Sequence, residues 1–289
     1  HGVAGYYDQI SSVMMNLAKV RNQGVEFVLG GTPVQTRDFS WDISFNFSYN
    51  ADRILDLAGD DDITMSDTKK IWKVGHSQYE FYMPTWMGVD SATGDPLWKS
   101  ASGTTSNYSE ALYETQGRAT PWGFGALTNN LSWKGLNLSF MFYYNLGGKV
   151  YDSLYATIMH DGNDPGKNLH VDALDAWTTA GMQTDVPRYS NNNDNQSNSP
   201  STRFLYDATY LKLKNVNLSY TLPSRAAKKL GPISGIRVYV NADNLFTVFK
   251  DKNYKGYDDI DIFGIGGYDA YANYIPLSRS YTVGVNFTF

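Results

Sequence analysis

The residues able to carry acid–base or metal chemistry are few and scattered along this chain. It has no cysteine, which removes thiolate nucleophiles and thiolate metal sites together. The four histidines, His1, His76, His160 and His170, have no spacing that would place two of them on one helix face, and no Gly-x-Ser-x-Gly motif occurs. The spacing of the carboxylates singles out no acid–base pair. We therefore expect no catalytic site, no cofactor and no metal, and no enzymatic activity.

One stretch comes close to a calcium-binding loop. Asp161, Asn163, Gly166 and Asp172 occupy EF-hand positions, but Pro165 stands at a ligand position and the last ligand is Asp where Glu is usual. Turn formation by Asp, Asn, Gly and Pro accounts for the same residues. The sequence favours a turn here over a calcium site.

A stretch rich in tyrosine and aspartate, "YDDIDIFGIGGYDAY" from Tyr257, offers groups that recognise polar ligands. Tyrosine rings give rigid amphipathic contact area, and carboxylates accept hydrogen bonds. A solvated loop is the competing interpretation. The candidate ligand- or lid-contacting residues are Tyr254, Tyr257, Asp258, Asp259, Asp261, Tyr268 and Tyr271.

Composition limits the class of protein that could position these groups. The 289 residues carry a net charge of -5 without a basic stripe, which argues against nucleic acid as a partner. Mean hydropathy is -0.40, and no apolar run approaches the roughly 18 residues of a membrane-spanning helix. Membrane-spanning strands are not excluded, because they need only about 9 to 11 residues and half of those can be polar.

Strict alternation of apolar and polar residues is the main structural signal. It runs through "FSWDISFNFSYN" from Phe39 and through the final "SYTVGVNFTF", and a period of two predicts strands with two unlike faces. Between Leu213 and Val216 the phase slips, which predicts a bulge near Lys214 and Asn215, or an upper half that has left the membrane. The seven expected strands begin near Gly24, Phe39, Ala126, Leu136, Tyr210, Ile236 and Tyr281.

The connections between these strands alternate between short and long. The long ones span about 51–120, 146–206 and 249–279, and the first contains an expected hairpin around Asp95 and Pro96. Compact soluble sandwiches keep most loops short, whereas outer-membrane barrels combine short periplasmic turns with long extracellular loops. We therefore predict an all-β, antiparallel transmembrane barrel whose apolar stripes meet lipid. The lumen-facing candidates are Lys212, Arg237, Tyr239 and Asp243.

Several segments resemble a known family. "YLKLKNVNLSYTLP" from Tyr210, "IRVYVNADNLFT" from Ile236, "YKGYD" from Tyr254 and the final "YIPLSRSYTVGVNFTF" are similar to the carboxyl-terminal end of SusC/RagA-type TonB-linked outer-membrane transporters. "KVRNQGVEF" and "GRATPWGFGALTNNLSWKGLNLS" resemble the preceding strands. After Asp258 the chain reads "DIDIFG", where the family often has Pro-Glu.

The resemblance implies a larger parent protein. This chain, which starts at His1 and is expected to be a fragment, would be about the last third of a 22-strand barrel, without the plug and the TonB box. The implied activity is TonB-dependent import of an oligosaccharide or peptide across the outer membrane of a Gram-negative bacterium. The implied partners are a SusD-type surface lipoprotein, the TonB complex, the lipid bilayer and the barrel-assembly machinery, which would recognise the terminal Phe289.

Two alternatives stay open at this point. A soluble carbohydrate-binding or hydrolytic β-domain would use the aromatic residues as ligand platforms instead of lipid contacts. Another outer-membrane porin or a siderophore receptor would share the barrel but differ in the rest of the chain.

Overall fold

The computed structural model describes residues 17–59, 61–66, 69–162, 164, 166–190, 195–255 and 277–289. These residues form sixteen strands and two short α-helices. The strands are β1 Ala18–Gln35, β2 Phe39–Leu57, β3 Ile63–Met65, β4 Lys70–Trp72, β5 Glu80–Pro84, β6 Trp86–Val89, β7 Pro96–Ser100, β8 Gly103–Thr105, β9 Tyr113–Arg118, β10 Gly123–Trp133, β11 Leu136–Leu146, β12 Lys149–Tyr151, β13 Leu205–Asp207, β14 Tyr210–Thr221, β15 Gly235–Phe249 and β16 Ser280–Thr288. The helices are α1 Ser153–Ile158 and α2 Ser224–Ala227, with 3-10 turns at Tyr108–Glu110, Val171–Asp175, Thr202–Phe204 and Lys228–Leu230.

Seven long strands form one antiparallel sheet in the order β1-β2-β10-β11-β14-β15-β16. These are the seven strands that the alternation predicts. The connections 36–38, 134–135 and 222–234 are short and lie at one end of the sheet, while the long connections lie at the other. Because each strand pairs with the next long strand along the chain, the sheet is a simple up-and-down meander.

One face of this sheet is a continuous apolar surface. The register places Phe45 opposite Leu127, Leu127 opposite Phe142, and Phe142 opposite Leu213, so apolar side chains form rows across the strands. Phe45 and Phe142 are only partly buried by their neighbours, and Phe287 is 54% exposed. No second layer of the described residues covers this face, and an exposed apolar surface of this extent is typical of contact with a membrane or another protein.

The phase slip in β14 is a bulge at Lys214. Leu213 and Asn215 oppose the adjacent residues Phe142 and Met141 of β11, which leaves Lys214 as the extra residue. The register with β15 shifts at the same place. Leu213 and the apolar residues that follow Asn215 therefore share one face, as the predicted bulge requires.

The long connections fold into small sheets and a shared core. Strands β3-β4-β5-β9 and β6-β7-β8 form two sheets, and β12 pairs with β13. The expected hairpin is present, with Val89 of β6 opposite Pro96 of β7, but it belongs to its own sheet and adds no strand to the large one. The core of these connections contains Phe81, Met83, Ala119, Val150, Tyr151, Ala156, Met159, Phe204, Tyr206, Ala208 and Tyr254.

Helices contribute little to the fold. The connection between β14 and β15 contains α2 and the 3-10 turn that follows it. Among the described residues, no helix has the length and apolarity needed to cross a membrane.

Candidate functional site

The packed connections beyond the sheet surround a polar cavity of about 580 Å³. All three long connections contribute to its wall, since β6, α1, the 3-10 turns and the segment after β15 all line it. The lining residues are Trp86, Tyr155, Met159, Asp172, Asp175, Thr184, Asp185, Val186, Thr202, Arg203, Leu205, Tyr206, Asp251, Asn253 and Lys255.

Arg203 is a fixed cation in this wall. Its guanidinium carbon lies 4.9 Å from the ring centre of Trp86 and 5.1 Å from that of Phe204, within the range of a cation–π contact. Its Nη1 donates to the carbonyl oxygen of Ser197 at 2.9 Å. Burial lowers the pKa of Arg203 to about 10, so the side chain is protonated at neutral pH. The backbone N–H of Trp86 donates to Oγ1 of Thr202 at 2.9 Å, which ties the two connections together beside it.

Asp172 is the centre of a second cluster in the wall. Its Oδ2 accepts a hydrogen bond from the Tyr155 hydroxyl at 2.8 Å and lies 3.3 Å from Nζ of Lys255. Burial acts to raise the pKa of Asp172, but the bonds from Tyr155 and Lys255 outweigh it, so the pKa is lowered overall. Burial, together with the bond to Asp172, raises the pKa of Tyr155. The cluster therefore presents an ionised carboxylate and a neutral phenol.

The cavity wall has more acidic than basic groups. Asp175, Asp185 and Asp251 join Asp172, which makes four carboxylates against the two cations Arg203 and Lys255. The Asp251 carboxylate is fixed by the backbone N–H groups of Asn253 and Asp207, at 3.0 and 3.3 Å. A wall with both signs of charge and three aromatic rings can bind a polar solute that carries charges of both signs.

The whole of the tyrosine- and aspartate-rich stretch from Tyr257 lies outside the described residues, and of the candidate contact residues only Tyr254 is described. Tyr254 is described and is only 9% exposed. Its ring packs edge-on against Tyr206 and Phe249, with ring centres 5.6 and 4.9 Å apart. In this position Tyr254 supports the loop core, and a role in ligand contact stays a prediction. The candidates outside the described residues are Tyr257, Asp258, Asp259, Asp261, Tyr268 and Tyr271.

The predicted lumen-facing residues share the face of the sheet opposite the apolar surface. On β14, Lys212 lies opposite Tyr143 and Thr247 and is 5% exposed. On β15, Arg237 donates from Nη2 to Oγ of Ser219 at 3.1 Å. That this face lines a lumen stays a prediction. The polar character of the face is consistent with a water-filled lumen.

Asp243 is the centre of a polar network on the same face. Its carboxylate accepts from the side-chain amides of Asn215 and Asn241 at 2.6 and 2.8 Å, and from the Ser280 hydroxyl at 3.1 Å. The network joins β14, β15 and β16. Tyr239, also on this face, lies over Gly284 of the neighbouring strand.

The near-EF-hand stretch does not bring its described carboxylates into one site. Oδ2 of Asp161 accepts from the Ser197 hydroxyl at 3.1 Å, while Asp172 belongs to the cluster described above. Asn163 and Pro165 are not among the described residues. Within the described ranges, no three His, Asp or Glu side chains lie together as a metal site would need.

No pattern in the sequence predicts the cavity itself. Trp86, Tyr155 and Arg203 lie far apart along the chain and meet only because the long connections pack together. The one available signal was the presence of aromatic residues such as Phe81 and Phe204 in these connections, which indicates a packed core but not a cavity. Phe289, by contrast, directly follows β16 and is 82% exposed, and its role in assembly stays a prediction.

Comparison with known proteins gives a consistent set of relatives. No protein-family model matches the chain. TonB-dependent receptor P3 of Formosa agariphila is 27% identical over 98% of this chain and 30% of its own length, and TonB-dependent receptor SusC of Bacteroides thetaiotaomicron is 24% identical over 96% and 27%. Among solved structures, the RagAB peptide transporter superposes with a TM-score of 0.80 and 33% identity, over 95% of this chain and 30% of that chain.

The chain is similar, over nearly its whole length, to the carboxyl-terminal barrel part of SusC/RagA-type TonB-dependent receptors. A further structure, the RagAB peptide importer in its "open-open" state, matches with a TM-score of 0.76 and 33% identity over 93% of this chain and 29% of that chain. The chain thus spans about 30% of the length of the relatives it matches. Its seven-stranded sheet is a partial antiparallel β-barrel, as predicted.

Proposed function

We propose that this chain is part of an active importer that takes up a nutrient across the outer membrane of a Gram-negative bacterium. The observation that carries the proposal is the uncovered apolar face of the seven-stranded sheet, together with the match to a peptide transporter. Lipid offers no hydrogen bonds to a backbone, so a sheet that spans it must close into a ring. Strands β1 and β16 are the edges of the described sheet and would pair with strands from the rest of the parent protein.

We place the short turns on the periplasmic side and the long connections outside the cell, as in other outer-membrane barrels. The packed connections then form an ordered extracellular layer above the barrel. A SusD-type lipoprotein would cover this layer, while the plug, the TonB box and the contact with the TonB complex would belong to the rest of the parent protein. The chain itself would bind and admit the solute without catalysing a reaction.

The cavity favours a peptide over a neutral oligosaccharide as the solute. Four carboxylates and two cations line it, and a peptide carries both an ammonium and a carboxylate group that such a wall can pair. A neutral sugar offers no ammonium group to the carboxylates that outnumber the two cations. The solved relative named as a peptide transporter agrees with this choice.

Uptake by the full-length parent with its lipoprotein tests the proposal. We expect labelled peptide to enter saturably and only when TonB is present, and Arg203→Gln to lower uptake several-fold at unchanged membrane level. Lys167→Gln is the matched control. Lys167 is a cation of the same long connection, but it pairs with Asp164 and lies outside the cavity.

Each alternative predicts a different result. Uptake that continues without TonB would identify a passive porin, and a protein that is recovered in the soluble fraction would be a soluble β-domain. Uptake of oligosaccharides with no uptake of peptides would leave the importer standing and overturn the choice of solute.

A further inference from the structure

An apolar groove of about 380 Å³ lies on the outward face of the sheet, close to the short turns. The register produces it, because Leu131 lies opposite Leu138, and Trp133 lies between Phe39 and Leu136. Trp133 lines the groove and is 55% exposed. Tryptophan at this depth of a barrel is typical of the boundary between hydrocarbon and headgroups.

A polar recess of about 260 Å³ continues the groove, and the two share Phe39 and Trp133 as lining residues. The recess lies between the turn joining β1 to β2 and the turn joining β10 to β11. The backbone N–H of Lys134 donates to the carbonyl oxygen of Asp38 at 3.1 Å, which holds the two turns together. Lys134 has a φ of 46°, a left-handed conformation that this tight two-residue turn imposes.

The recess carries an excess of positive charge. Nζ of Lys134 lies 3.4 Å from the Asp38 carboxylate, so these two charges largely offset each other. Arg37 lines the same recess and forms no ion pair with any residue that the structure describes. One cation is therefore left to attract an anion beside an apolar groove.

We propose that the groove and the recess together bind one anionic phospholipid. An acyl chain would lie in the groove against Leu131 and Leu138, and the phosphate would lie in the recess between Arg37 and Lys134. Basic recesses beside apolar membrane-facing surfaces bind lipid headgroups, and arginine suits phosphate because it donates two parallel hydrogen bonds. The inference rests on the proposed function, since it requires the apolar face to lie in a membrane.

The test uses the full-length protein purified in detergent, stripped of lipid, and titrated with phosphatidylglycerol while native mass spectrometry counts bound lipids. We expect one tightly bound lipid. The double variant R37Q/K134Q should weaken its binding roughly 30-fold, because each basic residue near a membrane surface contributes on the order of 1 kcal/mol. The control K228Q/K229Q removes two exposed lysines at the short connection between β14 and β15 and should leave binding unchanged.

Three outcomes overturn the proposal while leaving the importer intact. They are no tightly bound lipid on the wild-type protein, equal weakening in both double variants, and displacement of the lipid by inorganic phosphate alone at the same concentration. Failure of the proposed function would look different from these three outcomes. The full-length protein would then be soluble without detergent, which is seen before any lipid is added.

Discussion

At the scale of single residues, small and aromatic side chains complement each other across the strands. Asn129, the one polar residue in its row of the apolar face, is buried and accepts from Nε1 of Trp41 at 3.0 Å. The Tyr144 hydroxyl passes over Gly125 to reach the carbonyl oxygen of Asn46 at 2.7 Å. These contacts give hydrogen-bond partners to polar groups within an apolar surface, where an unpaired group is costly.

Replacing Gly284 by alanine should destabilise the barrel. An added Cβ would collide with the ring of Tyr239, so the ring would have to move away from β16. Overpacking of this kind costs about 1–3 kcal/mol. The measurement is the temperature at which the full-length protein loses its compact mobility on a denaturing gel. Gly235→Ala is the control, because its Cβ would meet only Thr288 at an ordinary 3.6 Å. If both variants lost compact mobility at the same temperature, the position of the Tyr239 ring would not depend on Gly284.

The segment after β15 should separate from its neighbours in acid. Bonds from Tyr155 and Lys255 lower the pKa of Asp172, and Lys250 and Thr209 lower that of Asp207, although burial opposes both shifts. A lowered carboxylate pKa contributes stability that is present above the ordinary value of 3.8 and is lost as the pH falls through the folded value. Hydrogen exchange of residues 249–255, corrected for intrinsic rates, should therefore show constant protection at neutral pH and a loss in acid beginning below that value.

Variants test whether these two carboxylates, and not other groups of the chain, cause the pH dependence. Asp172→Asn and Asp207→Asn should each remove part of the pH dependence, and the double variant should remove most of it. An undiminished acid transition in the double variant would assign the effect to other groups.

At the scale of elements, the sequence predicts the long strands well and the short ones poorly. A strand such as β2 has one apolar and one polar face along much of its length, so its alternation continues for many residues and identifies it. Strands such as β3 and β12 are three residues long, and their pairing depends on packing that no local pattern records. The cavity escaped prediction for the same reason, because Trp86 and Arg203 meet only through packing.

Deleting Lys214 should leave assembly of the barrel nearly normal. Leu213 and Asn215 already oppose adjacent residues of β11, so the deletion joins them in unbroken alternation and Lys212 stays on the polar face. The heat-modifiable fraction in isolated outer membranes measures assembly. Lys214→Ala keeps the bulge and should also assemble normally, and a loss of assembly in the deletion alone would mean that pairing with β15, where Asn244 and Leu245 lie beside the bulge, requires the extra residue.

At the scale of the whole molecule, the chain has two layers that are stabilised in different ways. The sheet is held by its ladders and by what surrounds its apolar face, whereas the long connections bury a core of their own. Side chains also join the connections, as where Nε of Arg188 donates to Asp95 at 2.8 Å and Nε1 of Trp177 donates to the Ser91 carbonyl at 3.0 Å. A binding site built across three connections needs this shared core, because separate flexible loops would not hold its charges in place.

Removing the centre of that core should loosen the three connections together and leave the barrel intact. Phe204 is fully buried and its ring packs edge-on against Tyr151 and Tyr155, so Phe204→Ala should cost the packed layer of long connections about 3–5 kcal/mol. Hydrogen exchange should then rise in parallel around Phe81, Met159 and Tyr254, which come from different connections, while β10 and β11 keep their protection. Leu174→Ala, at a side chain that is 84% exposed, is the control and should change neither layer. If exchange rose only near residue 204, the connections would be independent loops, and a cavity shared among them could not bind a solute as one rigid site.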